Sequence, residues 1–350
     1  MSNPSMGQDV KLEQWLSAIS RMRLPTVITC DFDGTLTPRF PNDEDHFTHV
    51  GRTGQQTIAG FLGDRERIGG VCTSRSILEV KRILETGFIN DRAQDLSGLS
   101  AAENGAVVFC RKLSPILEQK LTENGFQIDT RFAGLTAINL AKVSPEALRE
   151  SIVFPAVGES RIDQLQWSSS VGENHLRPNL QRLFEMSKHD SLQRTEEACQ
   201  RFGSAYVKVY NTDDGKGETL IKLLERRASE AGVLCLVTPP IEGHPIWTAD
   251  LGGGVTKYDA MKSISQIYSA LAGIPEAAMR FLYFGDGEND LPAFQYIFER
   301  PGNENHGFLL DIPHGNNDER FRRVATGTVY LKGDYDLAGV AKGVQSVCGS

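Results

Sequence analysis

The sequence of 350 residues lacks several features that mark particular classes of protein. It has six cysteines, but no pair has CxxC spacing and no Cys/His cluster suggests a zinc site. There is no stretch of about 18 apolar residues that would span a bilayer, and the first residues lack the continuous apolar run of a signal peptide. We therefore expect a cytoplasmic protein with reduced, buried thiols and no membrane partner.

Net positive charge is absent as well. The chain has 37 Lys and Arg against 45 Asp and Glu, a formal net charge of −8. This balance argues against nucleic acid as the main partner, since nucleic-acid surfaces are bound chiefly by basic patches. A small anionic ligand is still compatible with it, because local cations or a metal can override the field of the whole chain. With 40% hydrophobic residues, the chain has enough apolar material for a packed core.

Two separated regions alternate short apolar strands with helices. The first runs from about Leu24 to Cys110, and the second from about Gly254 to the end of the chain. Such alternation predicts an α/β fold with a parallel sheet covered by helices on both faces, and ligands bind such sheets at the carboxyl ends of the strands. We expect a Rossmann-like core formed by residues 1–110 and 251–350, and an inserted α+β domain formed by residues 111–250.

Apolar residues at helical spacing also predict individual helices. An amphipathic helix is expected at Leu12–Ile19, and further helices at Gly54–Leu62 and Leu180–Phe202. A strand–helix–strand unit is expected in the second half of the insert, where AYVKVYN, ETLIKLLERRASEA and VLCLVT follow one another.

The clearest chemical pattern is TVITCDFDGTLTP, in which a buried β-type run ends in Asp31 and is followed by Asp33, Gly34 and Thr35. Strand alternation predicts that the two carboxylates point to the same side. They can both stay ionised only if a cation lies between them, or else one is protonated. Gly34 allows a tight turn that brings amide N–H groups to an anion. An Asx turn would explain one Asp but not two, so we predict a nucleophile and a phosphate site here.

A second apolar strand ends in acidic residues in FLYFGDGENDLPAF. Asp286 follows the strand, and Asn289 and Asp290 stand at the start of a helix. Hard oxygen ligands at strand ends suit Mg²⁺, which takes one or two carboxylates and keeps waters and substrate phosphate. Mn²⁺ or Co²⁺ would be able to substitute. Asp290 can also be an N-cap, whereas Asp286 is harder to explain in that way.

Together, DFDGT and GDGEND resemble the haloacid dehalogenase superfamily of phosphatases and phosphomutases. The resemblance implies a Mg²⁺-dependent reaction in which Asp31 attacks phosphorus and becomes an aspartyl-phosphate. It makes Asp33 the general acid for the leaving alcohol and then the base for water, with its backbone carbonyl on the metal. Asp31 and Asp286 would be the carboxylate ligands of the metal. Asn289 and Asp290 would hold phosphate or the waters of the metal, and Asp290 is counted with Asp31, Asp33 and Asp286 as a residue of the metal site.

The resemblance also implies a hydroxyl and a lysine that bind the phosphoryl group. GGVCTSRS supplies Thr73, with Ser74 adjacent, after the second strand; hydroxyls are also common turn formers at such positions. Two lysines are candidates for the lysine that binds the phosphoryl group, Lys257 in GGGVTKYDAM and Lys216 in DDGKGETL. We expect Lys257, because it leaves room for one helix and one strand before Asp286, whereas Lys216 lies inside the insert.

The insert lies between Thr73 and Lys257, like the type-2 (C2B) cap of this superfamily. The order of YVKVYN, VLCLVT, WTADL and GGGVTK, and the segment AENGA at Ala102–Ala106, are similar to the sucrose-phosphatase and trehalose-phosphatase-like branch. That branch acts mostly on phosphorylated sugars, so the resemblance implies a sugar phosphate as substrate.

Two alternatives remain open. DFDGTLTP and the ENG segment are also similar to eukaryotic-type phosphomannomutases, which would make the chain a sugar phosphomutase. A non-catalytic sensor of sugar phosphates is the other alternative, since fold does not determine function. The presence of Asp33 argues against a sensor, because a binding protein does not need an acid–base group. Nothing in the sequence indicates an oligomeric state.

Overall fold

The computed structural model describes ten parts of the chain, which are residues 10–36, 66–85, 98–163, 167–169, 200–210, 214–240, 246–300, 304–311, 327–332 and 336–348. The predicted helix at Gly54–Leu62 lies outside the described residues. The same holds for residues 180–199 of the predicted helix at Leu180–Phe202, and its last three residues are not helical.

The strands of the described residues are, in chain order, β1 (Thr26–Cys30), β2 (Arg67–Val71), β3 (Ser100–Ala102), β4 (Val107–Arg111), β5 (Leu135–Asn139), β6 (Trp167–Ser169), β7 (Ser204–Tyr210), β8 (Cys235–Thr238), β9 (Ile246–Gly252), β10 (Arg280–Gly285), β11 (His306–Leu310) and β12 (Val329–Leu331). The helices are α1 (Val10–Ala18), α2 (Ile77–Glu85), α3 (Pro115–Glu123), α4 (Pro145–Leu148, continued by Arg149–Val153 and Phe154–Ser160), α5 (Lys216–Glu230), α6 (Lys257–Ala272), α7 (Leu291–Glu299) and α8 (Asp336–Cys348). Short 3₁₀ turns lie at Ile19–Arg21, Glu103–Gly105, Glu276–Ala278 and Glu288–Asp290.

A five-stranded parallel sheet forms the centre of the fold, in the order β12-β11-β10-β1-β2. All residues of β1 are buried, as expected for a strand covered on both faces. Cys30 at the end of β1 is aligned with Val71 of β2 and Phe284 of β10. The predicted α/β class is therefore confirmed, and three strand ends meet at the same edge of the sheet.

Alternate residues of β1 enter two hydrophobic clusters, one on each face of the parallel sheet. Ile28 lies in the cluster that includes residues of α2 and α8, and Val27 lies in the cluster that includes residues of α1, α6 and α7. Trp15 of α1 packs edge-on against Tyr268 of α6, with ring centroids 5.5 Å apart. The predicted amphipathic helix near the start of the chain is thus confirmed, and its apolar face covers the sheet.

Two antiparallel sheets complete the described part of the chain. β3-β4-β5 adjoins the end of β2 through a bridge between Cys72 and Ala101. β6-β7-β9-β8 packs one face on α4 and α5, and these elements share a hydrophobic cluster of their own. Ala137 of β5 packs in a cluster of the parallel sheet. The division into a core and an insert of residues 111–250 stays a prediction.

The cysteines of the described residues are free thiols. Cys30, Cys72 and Cys110 are buried, as expected, and Cys235 and Cys348 are partly exposed. Among the described helices, none combines the length and the apolar character that crossing a membrane requires.

Candidate active site

The carboxyl edge of the parallel sheet carries three buried carboxylates. Asp31 directly follows β1, and its backbone N–H donates to the carbonyl of Phe284 in the neighbouring strand at 2.8 Å. Asp286 follows β10, and Asp290 closes the 3₁₀ turn after it. One oxygen from each of the three carboxylates lies within 4.8 Å of the others. The exposed fractions of these residues are only 4%, 0% and 0%, so the cluster is shielded from bulk water.

A lysine lies among these carboxylates. Thr256 caps α6 through a capping box, which fixes Lys257 as the first residue of the helix. Lys257 Nζ lies 3.0 Å from Asp31 Oδ1 and 2.7 Å from Asp290 Oδ1, and its side chain is 1% exposed. Lys216 begins α5, where it pairs with Asp214 at 3.0 Å and is about half exposed. Of the two candidate lysines, Lys257 is therefore the one that contacts Asp31.

Asp290 organises the loop after β10. Its Oδ1 accepts hydrogen bonds from Lys257 Nζ and, at 2.6 Å, from the hydroxyl of Tyr283. Its Oδ2 accepts the backbone N–H groups of Asp286 at 3.1 Å and Gly287 at 2.9 Å. Asp290 thus fixes both the turn and the lysine. Tyr283 was not expected at the site, because its sequence pattern is that of an ordinary apolar strand residue.

The charges of the cluster do not balance. Burial raises the pKa of Asp31 to about 8; Asp290 and Asp286 add to this rise, and Lys257 opposes it. Burial alone would lower the pKa of Lys257, but the carboxylates of Asp290 and Asp31 raise it above its ordinary value. Three carboxylates thus surround one ammonium group. A divalent cation fits this donor set, because carboxylate oxygens are the hard ligands that Mg²⁺ prefers.

The stability of the metal-free protein should depend on the ionisation of Asp31. The pKa of Asp31 is about 8 in the folded protein against an ordinary value of 3.8, so the folded state binds this proton more tightly. Stability in chelator should therefore fall as the pH rises from about 4 to about 8 and then level off. Thermal unfolding of wild type and Asp31→Asn at pH 5 and pH 8 checks this: the difference between the two pH values should shrink in the variant. Equal differences in both proteins would contradict it.

Gly34 brings the turn after β1 against Asp286. Its φ is +85°, and a Cβ at this position would lie 2.2 Å from Asp286 Oδ2. The next residue, Thr35, donates its hydroxyl to Asp286 Oδ1 at 3.3 Å. Both the backbone conformation and the close approach therefore require glycine here.

Substitution of Gly34 by Ala should destabilise the protein more than a matched substitution elsewhere. Gly125 has a nearly identical φ of +86°, but no atom lies within 4 Å of the Cβ that alanine would add. Gly125→Ala should cost about 1 kcal/mol for its backbone conformation alone. Gly34→Ala should cost about 1–3 kcal/mol more, because the methyl group overlaps the Asp286 carboxylate. Denaturant unfolding of both variants measures the difference, and equal losses would show that Asp286 does not lie against the turn.

Asp33 is not one of the three clustered carboxylates, and its predicted place on the same side as Asp31 stays a prediction. The strand ends at Cys30, the chain bends at Phe32, and Asp33 lies in an isolated β-bridge before the turn at Gly34. Arg75 instead binds both oxygens of Asp33, with Nε 2.9 Å from Oδ2 and Nη2 2.6 Å from Oδ1. The guanidinium also lies 5.2 Å from the ring centroid of Phe32. Arg75 was missed, although its place directly after Thr73 and Ser74 was a signal.

The remaining predicted residues lie in the loops after β2 and β10. Thr73 is buried, and its Oγ1 accepts the backbone N–H of Arg75 at 3.2 Å, which leaves the hydroxyl proton for donation. Ser74 is half-buried, and its carbonyl accepts Arg201 Nη1 at 2.6 Å. Asn289 is half-buried in the 3₁₀ turn before α7.

No model of a known protein family matches the sequence, and no curated protein matches it. Solved structures that are similar include a haloacid dehalogenase-like hydrolase from Bacillus subtilis, at 15% identity and a TM-score of 0.42, with 96% of this chain and 99% of that chain covered. The C-terminal domain of a trehalose-6-phosphate phosphatase from C. albicans is 11% identical, with 99% of each chain covered and a TM-score of 0.49. The C-terminal domain of a trehalose synthase regulatory protein from Candida albicans is 12% identical, with 100% of each chain covered and a TM-score of 0.44. Similarities as distant as these assign no activity to this chain.

Proposed function

We propose that the protein is a Mg²⁺-dependent phosphatase that hydrolyses a phosphate monoester through an aspartyl-phosphate on Asp31. The contact between Asp31 and Lys257, buried together with two further carboxylates at the edge of the parallel sheet, carries this proposal. A buried, unbalanced cluster of this kind is costly to stability, and perturbed carboxylates of this kind concentrate at functional sites.

Asp31 is oriented for attack on phosphorus. In the described part of the chain, its Oδ1 holds both contacts of the carboxylate, one with Lys257 Nζ at 3.0 Å and one with the N–H of Phe32 at 2.8 Å. Oδ2 is therefore the oxygen that attacks. Attack forms the Asp31–phosphorus bond and breaks the bond between phosphorus and the oxygen of the leaving alcohol.

Developing negative charge on the phosphoryl oxygens is met by groups of this chain. Lys257 supplies a buried positive charge beside the attacking carboxylate. The hydroxyl proton of Thr73 and the backbone N–H of Gly34 provide hydrogen-bond donors, whereas the amides of Thr35 and Leu36 donate to the carbonyl of Phe32. Because these groups are fixed by packing, they need not reorganise during the reaction.

The metal would be held by the carboxylates of Asp31 and Asp286 and by the backbone carbonyl of Asp33. When bound, it would neutralise charge on the phosphoryl group as a Lewis acid. Asp290 was predicted as a further ligand. Since its two oxygens already accept four hydrogen bonds, we assign it the role of holding the Asp286 turn and Lys257.

Asp33 is the group that would exchange protons with the leaving alcohol and with water. Its bidentate pair with Arg75 favours the ionised carboxylate, which is the form that takes a proton from the attacking water in the second half of the reaction. To protonate the leaving alcohol in the first half, Asp33 must separate from Arg75 and carry a proton, which it takes from solvent or keeps from the attacking water of the preceding turnover. Attack of water then releases phosphate and regenerates Asp31.

A hydroxyl-rich leaving group such as a sugar is supported by the polar residues on the face of β6-β7-β9-β8 that does not pack on α4 and α5. Along β7, Val207 and its alternate neighbours pack on α4 and α5, so Tyr206, Lys208 and Tyr210 share the other face. The guanidinium of Arg201 lies 4.6 Å from the ring centroid of Tyr206 and donates to the carbonyl of Ser74. This polar face therefore adjoins the loop that we assign to phosphate binding.

Phosphate release from a panel of sugar phosphates, measured with Mg²⁺ and with chelator, tests the proposal. The panel includes trehalose, sucrose, mannose, glucose and glucosylglycerate phosphates. Mg²⁺-dependent release from one member is the expected result and identifies the sugar. Interconversion of hexose 1- and 6-phosphates without release would replace the phosphatase by a phosphomutase. Binding of a sugar phosphate without either reaction would indicate a sensor.

A further inference from the structure

We propose that Glu103 and Asn104 are positioning residues. They hold the segment that leads into β7 and the segment at the end of β9 against the loop that binds the phosphoryl group. The inference rests on the proposed function. The phosphate loop is formed by residues 73–76. The entry segment, residues 200–204, leads into β7, and the exit segment, residues 250–256, comprises the end of β9 and the residues after it.

The carboxylate of Glu103 binds the entry segment. Its Oε2 accepts the backbone N–H groups of Phe202 at 3.0 Å, Gly203 at 2.8 Å and Ser204 at 3.1 Å, and the hydroxyl of Ser204 at 3.3 Å. Glu103 is 0% exposed. Burial raises its pKa, and Arg201 and the amides of Gly203 and Phe202 oppose that rise. Three successive amides directed at one buried carboxylate form an anion-binding nest within the chain.

Asn104 binds the exit segment. Its Nδ2 donates to Asp250 Oδ2 at 2.9 Å. Arg201 of the entry segment lies 3.6 Å from the same oxygen and donates to the carbonyl of Ser74 in the phosphate loop. The entry segment, the exit segment and the phosphate loop are thus joined by a short chain of buried polar contacts.

The backbone of the same two residues binds the phosphate loop directly. The N–H of Glu103 donates to the carbonyl of Arg75 at 2.9 Å, and the N–H of Asn104 donates to the carbonyl of Thr73 at 3.0 Å. The side chains of Glu103 and Asn104 therefore hold the entry and exit segments, and their backbone N–H groups hold the phosphate loop. A change of the Glu103 side chain can loosen the entry segment while the bonds to the phosphate loop remain.

The turn has an unfavourable backbone conformation. Glu103 and Asn104 have φ values of 55° and 54°, and Gly105 has 99°. A left-handed conformation costs roughly 1 kcal/mol at a residue other than glycine. A Cβ at Gly105 would lie 2.5 Å from the carbonyl of Thr256, the residue before Lys257. Such strain persists where the surrounding contacts determine it, and it is concentrated at functional sites.

A substrate whose leaving group contacts the polar face of β7 depends on the contacts of Glu103 and Asn104, and a substrate that contacts only the phosphate loop does not. We therefore expect a change at Glu103 to separate two classes of substrate. The sugar phosphate that the wild type hydrolyses in the panel above represents the first class, and p-nitrophenyl phosphate represents the second.

Glu103→Gln tests the inference because it keeps the size of the side chain and replaces an accepting oxygen by an NH₂ group. The kcat/KM for the sugar phosphate should fall at least about tenfold, mostly through KM, since hydrogen bonds to a charged group are lost. The kcat/KM for p-nitrophenyl phosphate should change less than about twofold. Hydrogen exchange at residues 202–204 should be faster in the variant. The control is Glu159→Gln, which removes an exposed carboxylate that pairs with Arg226 and Arg227, and it should change none of these quantities.

Equal losses for both substrates, or no loss for either, would overturn the inference. Should Glu103→Gln fail to fold, Ser204→Ala removes one contact of the carboxylate. The kcat/KM for the sugar phosphate should again fall more than that for p-nitrophenyl phosphate, by a smaller factor. Failure of the wild type to release phosphate from any substrate would reject the proposed function instead. In that case, faster exchange at residues 202–204 together with weaker sugar-phosphate binding by Glu103→Gln would support the positioning role, and unchanged exchange would overturn it.

Discussion

Asp31→Asn should abolish phosphate release while the protein remains folded. We expect kcat to fall by at least about 10³-fold, because the amide cannot form the aspartyl-phosphate of the proposed reaction. The side chain keeps its shape, and its Oδ1 can still accept the N–H of Phe32. Steady-state phosphate release measures the loss, and circular dichroism verifies the fold.

The matched control for this experiment is Asp129→Asn. Asp129 is a half-buried carboxylate that pairs with Arg131, outside the cluster of three carboxylates. This variant should retain the activity of the wild type. A folded Asp31→Asn protein with turnover near that of the wild type would reject Asp31 as the nucleophile.

Lys257→Met should have the largest effect on stability. The substitution removes the buried ammonium that contacts Asp31 and Asp290, and it leaves their carboxylates without a compensating charge. Breaking a buried ion pair by removing one partner typically costs about 3–5 kcal/mol. Denaturant unfolding in chelator should show a loss of this size, and phosphate release should disappear because the charge beside the nucleophile is lost.

Lys216→Met is the control, because Lys216 begins a helix after a glycine, as Lys257 does after Thr256, but lies about half exposed against Asp214. Removing an exposed ion pair typically changes stability by about 1 kcal/mol or less. Activity should be retained. The assignment of the two lysines would be reversed if Lys216→Met abolished activity and Lys257→Met did not.

The α/β class and the position of the site at the edge of the sheet were predictable from local patterns. Short apolar runs ended at Cys30 and Gly285, each followed directly by an acidic residue. Such a pattern depends only on neighbours along the chain, since a buried strand must be apolar and must expose polar groups where it ends. Parallel pairing then brings Asp31 and Asp286 to the same edge without further information.

Predictions failed or were incomplete where contacts join distant parts of the chain. Arg75 was overlooked, although it binds both carboxylate oxygens of Asp33. Tyr283 was overlooked because a buried tyrosine in an apolar strand has no distinguishing pattern. The contacts of Glu103 were not foreseen either, because its partner Gly203 is 100 residues away in the sequence.

The sequence by itself determined which residues can carry the chemistry. They are the carboxylates at the ends of two buried strands, Gly34 in the turn after the first of these strands, and two candidate lysines. The tertiary structure decided which of these groups meet. It placed Lys257 between Asp31 and Asp290, paired Asp33 with Arg75, and directed the carboxylate of Glu103 at the entry segment. The physical reason is that strand and helix patterns are set by near neighbours, whereas the balance of buried charges depends on how separate elements pack together.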